Sequence, residues 1–157
     1  MRNVILNNIK TGLESNIGSS SSYTTLKVEE VQGRLPEAIL TNYFVGITID
    51  RATASDRIIG RSYPLQTEYI CSVVVRIKNA DYNDGQTELD TIVRRIVKYF
   101  ANDSGSLNGL QDTTDDVTER VVTYTIESFD YISGEAKNKG LLHICTIQLS
   151  IKTDLII

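Results

Sequence analysis

The sequence predicts an α+β fold: an antiparallel sheet built from two β-hairpins, packed against one long α-helix, with a short N-terminal helix. Three observations carry that expectation. Runs of period-two alternation lie around residues 43–49, 71–78, 120–126 and 141–152. A single long stripe with helical spacing lies at Leu89, Ile92, Val93, Ile96, Val97 and Phe100. The order strand, strand, helix, strand, strand then places two hairpins around one helix, which groups the helices on one face of an antiparallel sheet.

The N-terminal helix is read over residues 1–17, because Val4, Ile5, Ile9 and Leu13 share one helical face and Gly12 and Gly18 bracket its end. Residues 18–34, with the run Ser19 to Ser22, read as a linker region of small polar residues. The helix is therefore expected to swing on that linker or to dock against a neighbouring subunit. The α+β core is read over residues 35–153 of a single domain, 1–157. It opens at Leu35-Pro36, since a residue before proline avoids the helical region.

Tyr43, Val45, Ile47 and Ile49 alternate with Phe44, Gly46, Thr48 and Asp50. The polar stretch from Asp50 to Pro64 reads as a long hairpin arm, and Pro64 does not fit a central strand. In the second strand Cys71, Val73, Val75 and Ile77 form the buried face. A turn is expected at residues 81–85, followed by the helix, with Thr87 as its N-cap and Asp90 three residues on. Arg94, Arg95 and Lys98 suit its C-terminal half. The Gly-, Ser- and Asp-rich segment 102–119 reads as a long loop. The closing strands follow at Arg120–Ile126 and from Leu141, joined by a hairpin loop, ISGEAKNKG. The sheet face away from the helix would carry Val74, Val122, Tyr124, Ile126, Leu142 and Ile144, too apolar to leave in water, which implies a partner surface.

Composition narrows the function classes. A chain of 157 residues has one domain's length and buries roughly 68–70% of its unfolded surface without metal or disulfide staples. With 41% hydrophobic and 23% charged residues it is neither collagen-like, disordered nor membrane-spanning. A net charge of −4 argues against a phosphate-coating protein, because affinity for phosphates needs clustered Lys and Arg. The start, MRNVILNNIKTGLES, lacks the apolar core of a secretory signal. The chain is thus expected to fold in a cytosol, with Cys71 and Cys145 as reduced, buried thiols.

No catalytic motif stands out. His143, the one histidine, shares a strand face with Cys145, but its neighbours are apolar and no orienting carboxylate is near in sequence, so a core histidine is the simpler reading. Asp112, Asp115 and Asp116 lack the spacing of a calcium loop. No phosphate-cradling glycine motif occurs, so neither metal nor cofactor is expected. Arg51, Arg57 and Arg61 are interspersed with Asp50 and Asp56 and read as salt-bridging polar surface. Tyr43, Tyr63 and Tyr69 cluster around the first hairpin, where a tyrosine's apolar body and polar tip suit an interface.

This order of elements resembles the tail-terminator proteins of long-tailed bacteriophages, from Leu35 to Thr153. The resemblance rests on the short N-terminal helix, the hairpin with its polar arm, the core helix in IVRRIVKYFANDSG, the strand in VVTYTIESFDY and the closing hairpin. It implies a structural virion protein without enzymatic activity. Such a protein forms a ring, commonly a hexamer, that caps the tail tube, stops polymerisation and joins the tail to the head or neck. The implied partners are further copies of itself, the tail-tube protein, a neck or connector protein and a sheath protein. DNA passes through without specific binding, and there is no membrane partner. The implied location is the virion tail or neck, after synthesis in the host cytoplasm. The family marks no interface residue by motif, so the arm and the acidic loop are the candidate contact regions: Arg51, Arg57, Arg61 and Tyr63, and Asp103, Asp112, Asp115 and Asp116. The competing expectations are another neck, connector or tail-tube protein, or a small α+β ligand-binding domain or enzyme.

Overall fold

Alternation and register decide the architecture. The computed structural model describes residues 1–17, 27–30, 42–54, 65–102, 107–114, 117–136 and 140–156. In chain order these form α1 (Arg2–Ile17), β1 (Lys27–Glu30), β2 (Tyr43–Ala54), β3 (Leu65–Asn79), α2 (Tyr82–Ala101), β4 (Gln111–Asp112), β5 (Thr118–Ala136) and β6 (Gly140–Ile156). The class is α+β: two helices and one six-stranded sheet ordered β1-β2-β3-β6-β5-β4. β1 runs parallel to β2, and every other neighbouring pair is antiparallel.

The centre of the sheet is β3 against β6. Cys71, Val73, Val75 and Ile77 lie opposite Leu149, Ile147, Cys145 and His143, and all eight side chains are 0% exposed. Residues directly opposite in an antiparallel pair share a face, so the alternation in these strands builds one apolar layer. The α2 stripe covers it with Leu89, Ile92, Val93, Ile96, Tyr99 and Phe100. Fully burying one such side chain contributes about 1.5–3 kcal/mol, so this two-layer contact dominates stability.

The helix begins earlier than its sequence suggests. Its N-cap is Asp81, whose carboxylate accepts from the Asp84 amide at 2.9 Å, not Thr87. Thr87 sits inside the helix and donates to the Asn83 carbonyl. The expected turn at residues 81–85 is thus the cap and first helical turn. Asn, Asp and Gly mark helix starts as well as turns, because their short side chains pair with local backbone.

α1 packs within its own chain and not against a neighbouring subunit. Ile5, Leu6, Ile9, Leu13 and Ile17 are buried, and the helix packs on α2, β1 and β2 of its own chain. Gly12 does not end it but admits Tyr99: a Cβ there would lie 2.0 Å from the phenol oxygen. The region expected to be linker contains β1, which pairs Lys27–Glu30 with Phe44–Ile47 and buries Val28. The serine run and Leu35-Pro36 lie outside the described residues.

The last third of the chain departs most from expectation. Segment 102–119 holds β4, and Leu107 within it is 0% exposed. The Val121 amide donates to the Leu110 carbonyl at 2.9 Å, which stitches this segment to β5. β5 and β6 continue through most of the expected hairpin loop and stay paired to Ala136 and Gly140. The face away from the helices is also composed differently. Register shifts at Val121/Thr123 and Ile126/Ser128 insert extra residues, Val122 and Glu127. Each bulge reverses the alternation. Tyr124 and Ile126 therefore face the helices opposite Ile151 and Leu149, instead of sharing the outer face with Leu142 and Ile144.

Candidate functional site

The two bulges leave β5 with halves of different character. Past Glu127 the strand pairs one-to-one with β6 from Ser128 opposite Gln148 to Ala136 opposite Gly140. Phe129 and Tyr131 fall opposite Ile147 and Cys145, on the helix side of the sheet. α2 runs beside them rather than over them. Phe129 is 43% exposed and Tyr131 49%, while on the other face Ile132 is 65% exposed. Among the described residues, four of the five large exposed apolar side chains lie on β5. Scattered exposed apolar residues are ordinary, whereas a contiguous set marks a contact surface.

Phe129 and Tyr131, with Val93, Arg94 and Val97 of α2, line an open apolar groove of about 320 Å³. Burial, with the nearby Cys145 and Asp90, raises the Tyr131 phenol to about 12, and burial raises the Cys145 thiol to about 11. Both groups are therefore neutral near pH 7. The groove is an apolar trough with one exposed cation, Arg94, on its wall.

Beside Glu127 and the groove, β5 is also a margin of the sheet. β4 covers only Glu119 and Arg120, and among the described residues no strand pairs with the outer side of Ser128–Ala136. Such an edge presents backbone N–H and C=O groups to any incoming strand.

His143 lies near one end of this region and is 0% exposed. Its Nδ1 is 3.1 Å from Ser133 Oγ and 3.2 Å from Gln86 Nε2, while Nε2 is buried without a hydrogen-bond partner. Nε2 rests against Gly85, where a Cβ would approach to 2.2 Å. Tyr82 stands edge-on at 5.7 Å. The imidazole ties the first turn of α2 to β5 and β6, as a core histidine does. The described polar contacts of its ring are with Gln86 and Ser133, not with Cys145.

The sequence-derived contact residues do not gather into one site. Arg51 is exposed on β2, and Asp112 lies on β4. Asp112 pairs with the Met1 amino group and accepts from Thr114 Oγ1 at 2.6 Å; these contacts lower its pKa. Glu119 completes that end of the sheet, accepting from Tyr69 at 3.0 Å and Thr153 at 2.6 Å. Arg57, Arg61, Tyr63, Asp103, Asp115 and Asp116 lie outside the described residues. The sequence reading missed Phe129, Tyr131 and Ile132. Their signal is the run FDYI at 129–132, two residues beyond the strand read as ending at Ile126.

Among the described residues no group of His, Cys, Asp and Glu is placed to hold a metal ion, and no helix is long and apolar enough to cross a membrane. No protein-family model matches this chain, and no curated protein matches it. Among solved structures it is similar to a chain of a structure titled "Virion of native gene transfer agent (GTA) particle". That likeness has a TM-score of 0.46 at 10% identity and covers 92% of this chain and 93% of that one.

Proposed function

We propose that this protein is a structural subunit of a phage-type particle: a tail terminator whose ring caps the tail tube, halts its growth and offers a docking face to the neck. The observation that carries the reading is the far half of β5, an edge with no further strand among the described residues, flanked by Phe129, Tyr131 and Ile132. A surface of this kind is suited to protein contact. A contact that joins two different patches of one chain closes into a ring when the rotation allows. The order of elements that resembles the tail-terminator family supports the same reading, as does a net charge of −4, which does not favour gripping the phosphates of passing DNA. In this reading the chain performs no catalysis and needs no cofactor; its partners are its own copies, tube protein, and neck or connector and sheath proteins.

Immunogold labelling of particles purified from producing cells tests the role. A single cluster of label at the junction of head and tail is the expected result. Label spread along the tail would assign the chain to the tube, and particles without label would remove it from the virion.

A further inference from the structure

The sheet has two incompletely covered margins, and they differ in charge. One is Ser128–Ala136 of β5, which carries exposed Asp130 and adjoins exposed Glu127. The other is β2 beyond its partner β1. β1 pairs only as far as Ile47, so among the described residues Thr48–Ala54 has β3 on one side and no strand on the other. That segment carries exposed Arg51 beside exposed Asp50, which accepts a hydrogen bond from Ser72, so its two charges balance where the β5 margin is acidic. Beyond Arg51 its side chains are Ala52, Thr53 and Ala54, all exposed and all small.

We propose that the free edge of β5 in one copy receives Thr48–Ala54 of β2 in a second copy, so that the sheet continues from chain to chain. This rests on the ring reading and names the contact that would build the ring. Thr48–Ala54, kinked by a bulge at Asp50 where its register with β3 shifts, spans at most about 23 Å of strand, within the nine-residue run of β5 from Ser128 to Ala136. Charge selects this partner over the obvious alternative. Pairing β5 with β5 about a two-fold axis would bring Glu127 and Asp130 of both copies to one seam, and like charges facing across strands are destabilising. Pairing with β2 instead offers them Arg51. The small side chains at Ala52–Ala54 let the incoming strand approach Phe129 and Tyr131 without displacing them. Because the two edges are different surfaces, the contact is head-to-tail and can close a ring.

Light scattering of the full chain over a concentration series, with negative-stain imaging, reads the contact. Wild type is expected to grow to one closed multiple of 17.5 kDa. Phe129→Ser and Arg51→Glu should each weaken association roughly tenfold or more, as truncations at the centre of an interface do. A chain carrying Arg51→Glu with Glu127→Lys and Asp130→Lys restores opposite charge and should recover much of the loss. Circular dichroism melts identify any variant that fails to fold, and Ile132→Lys, at a 65% exposed position, serves as a second β5 probe. Rings that persist through the β5 and β2 substitutions overturn the proposed contact and leave the ring reading standing. Open chains that dissolve in the variants uphold the contact but not the ring. A dimer sensitive to Phe129→Ser but not to Arg51→Glu overturns β2 as the partner. A wild type that stays monomeric at every concentration overturns the contact altogether.

Discussion

The two halves of β5 share one strand and one partner, β6, yet they meet different surroundings. Near its start, Val121 is 3% exposed, and Tyr124 donates to the Phe100 carbonyl at the end of α2. Beyond Glu127, Phe129 and Tyr131 point to the same side of the sheet and lie open. Strand alternation says which side chains share a face, and the reach of the covering helix says whether that face is core or contact surface.

Three experiments sharpen the contrast. The largest effect is expected from comparing Ile147→Ala with Ile132→Ala. Ile147 is 0% exposed beneath α2, and its truncation should cost about 2–5 kcal/mol of unfolding free energy. Ile132 is on the uncovered half, and its truncation should stay within about 0.5 kcal/mol for the monomer in a denaturant titration. Equal losses would mean that the far half of β5 is covered within its own chain.

Gly85→Ala comes next. Alanine in a helix interior normally gains about 0.5–1 kcal/mol over glycine. Here the new methyl would meet the His143 ring at 2.2 Å, and that ring is held by Ser133 and Gln86. Overpacking of this kind costs about 1–3 kcal/mol, so the net change should be destabilising. In a His143→Ala background the same substitution should turn neutral or favourable, and the two melts together check the close approach.

The smallest effect is electrostatic and lies at the opposite end of the sheet. The Met1 amino group and Thr114 lower the pKa of Asp112 in the folded state. A depressed carboxylate stabilises the fold above its unfolded value, near 3.9, and that contribution is lost as pH falls through the folded value. Asp112→Asn should therefore be less stable than wild type at neutral pH, and the gap should close on acidification below about pH 4. Thermal melts from pH 7 to pH 3 measure it, and a gap that widened in acid would contradict the ion pair.

Much of this protein was legible by itself. The class follows from two periods, and the core faces of β3, α2 and β6 lie where the alternation and the stripe put them. Those residues interact through repeating local geometry, which a sequence carries directly. The sequence also showed that His143 sits among apolar neighbours. It did not show β1, since four residues, KVEE, hold no period long enough to read. Nor did it show that α1 packs on its own chain: an amphipathic face needs a partner but does not name one. The bulges at Val122 and Glu127 were hidden as well, because nothing in VVTYTIESFDY marks which residue the facing strand will skip. Only the tertiary structure decided that Tyr124 and Ile126 turn inward and that Phe129 and Tyr131 lie beside the helix, not beneath it. Periodicity is a property of neighbours in the chain, whereas coverage depends on where another element lies across the sheet.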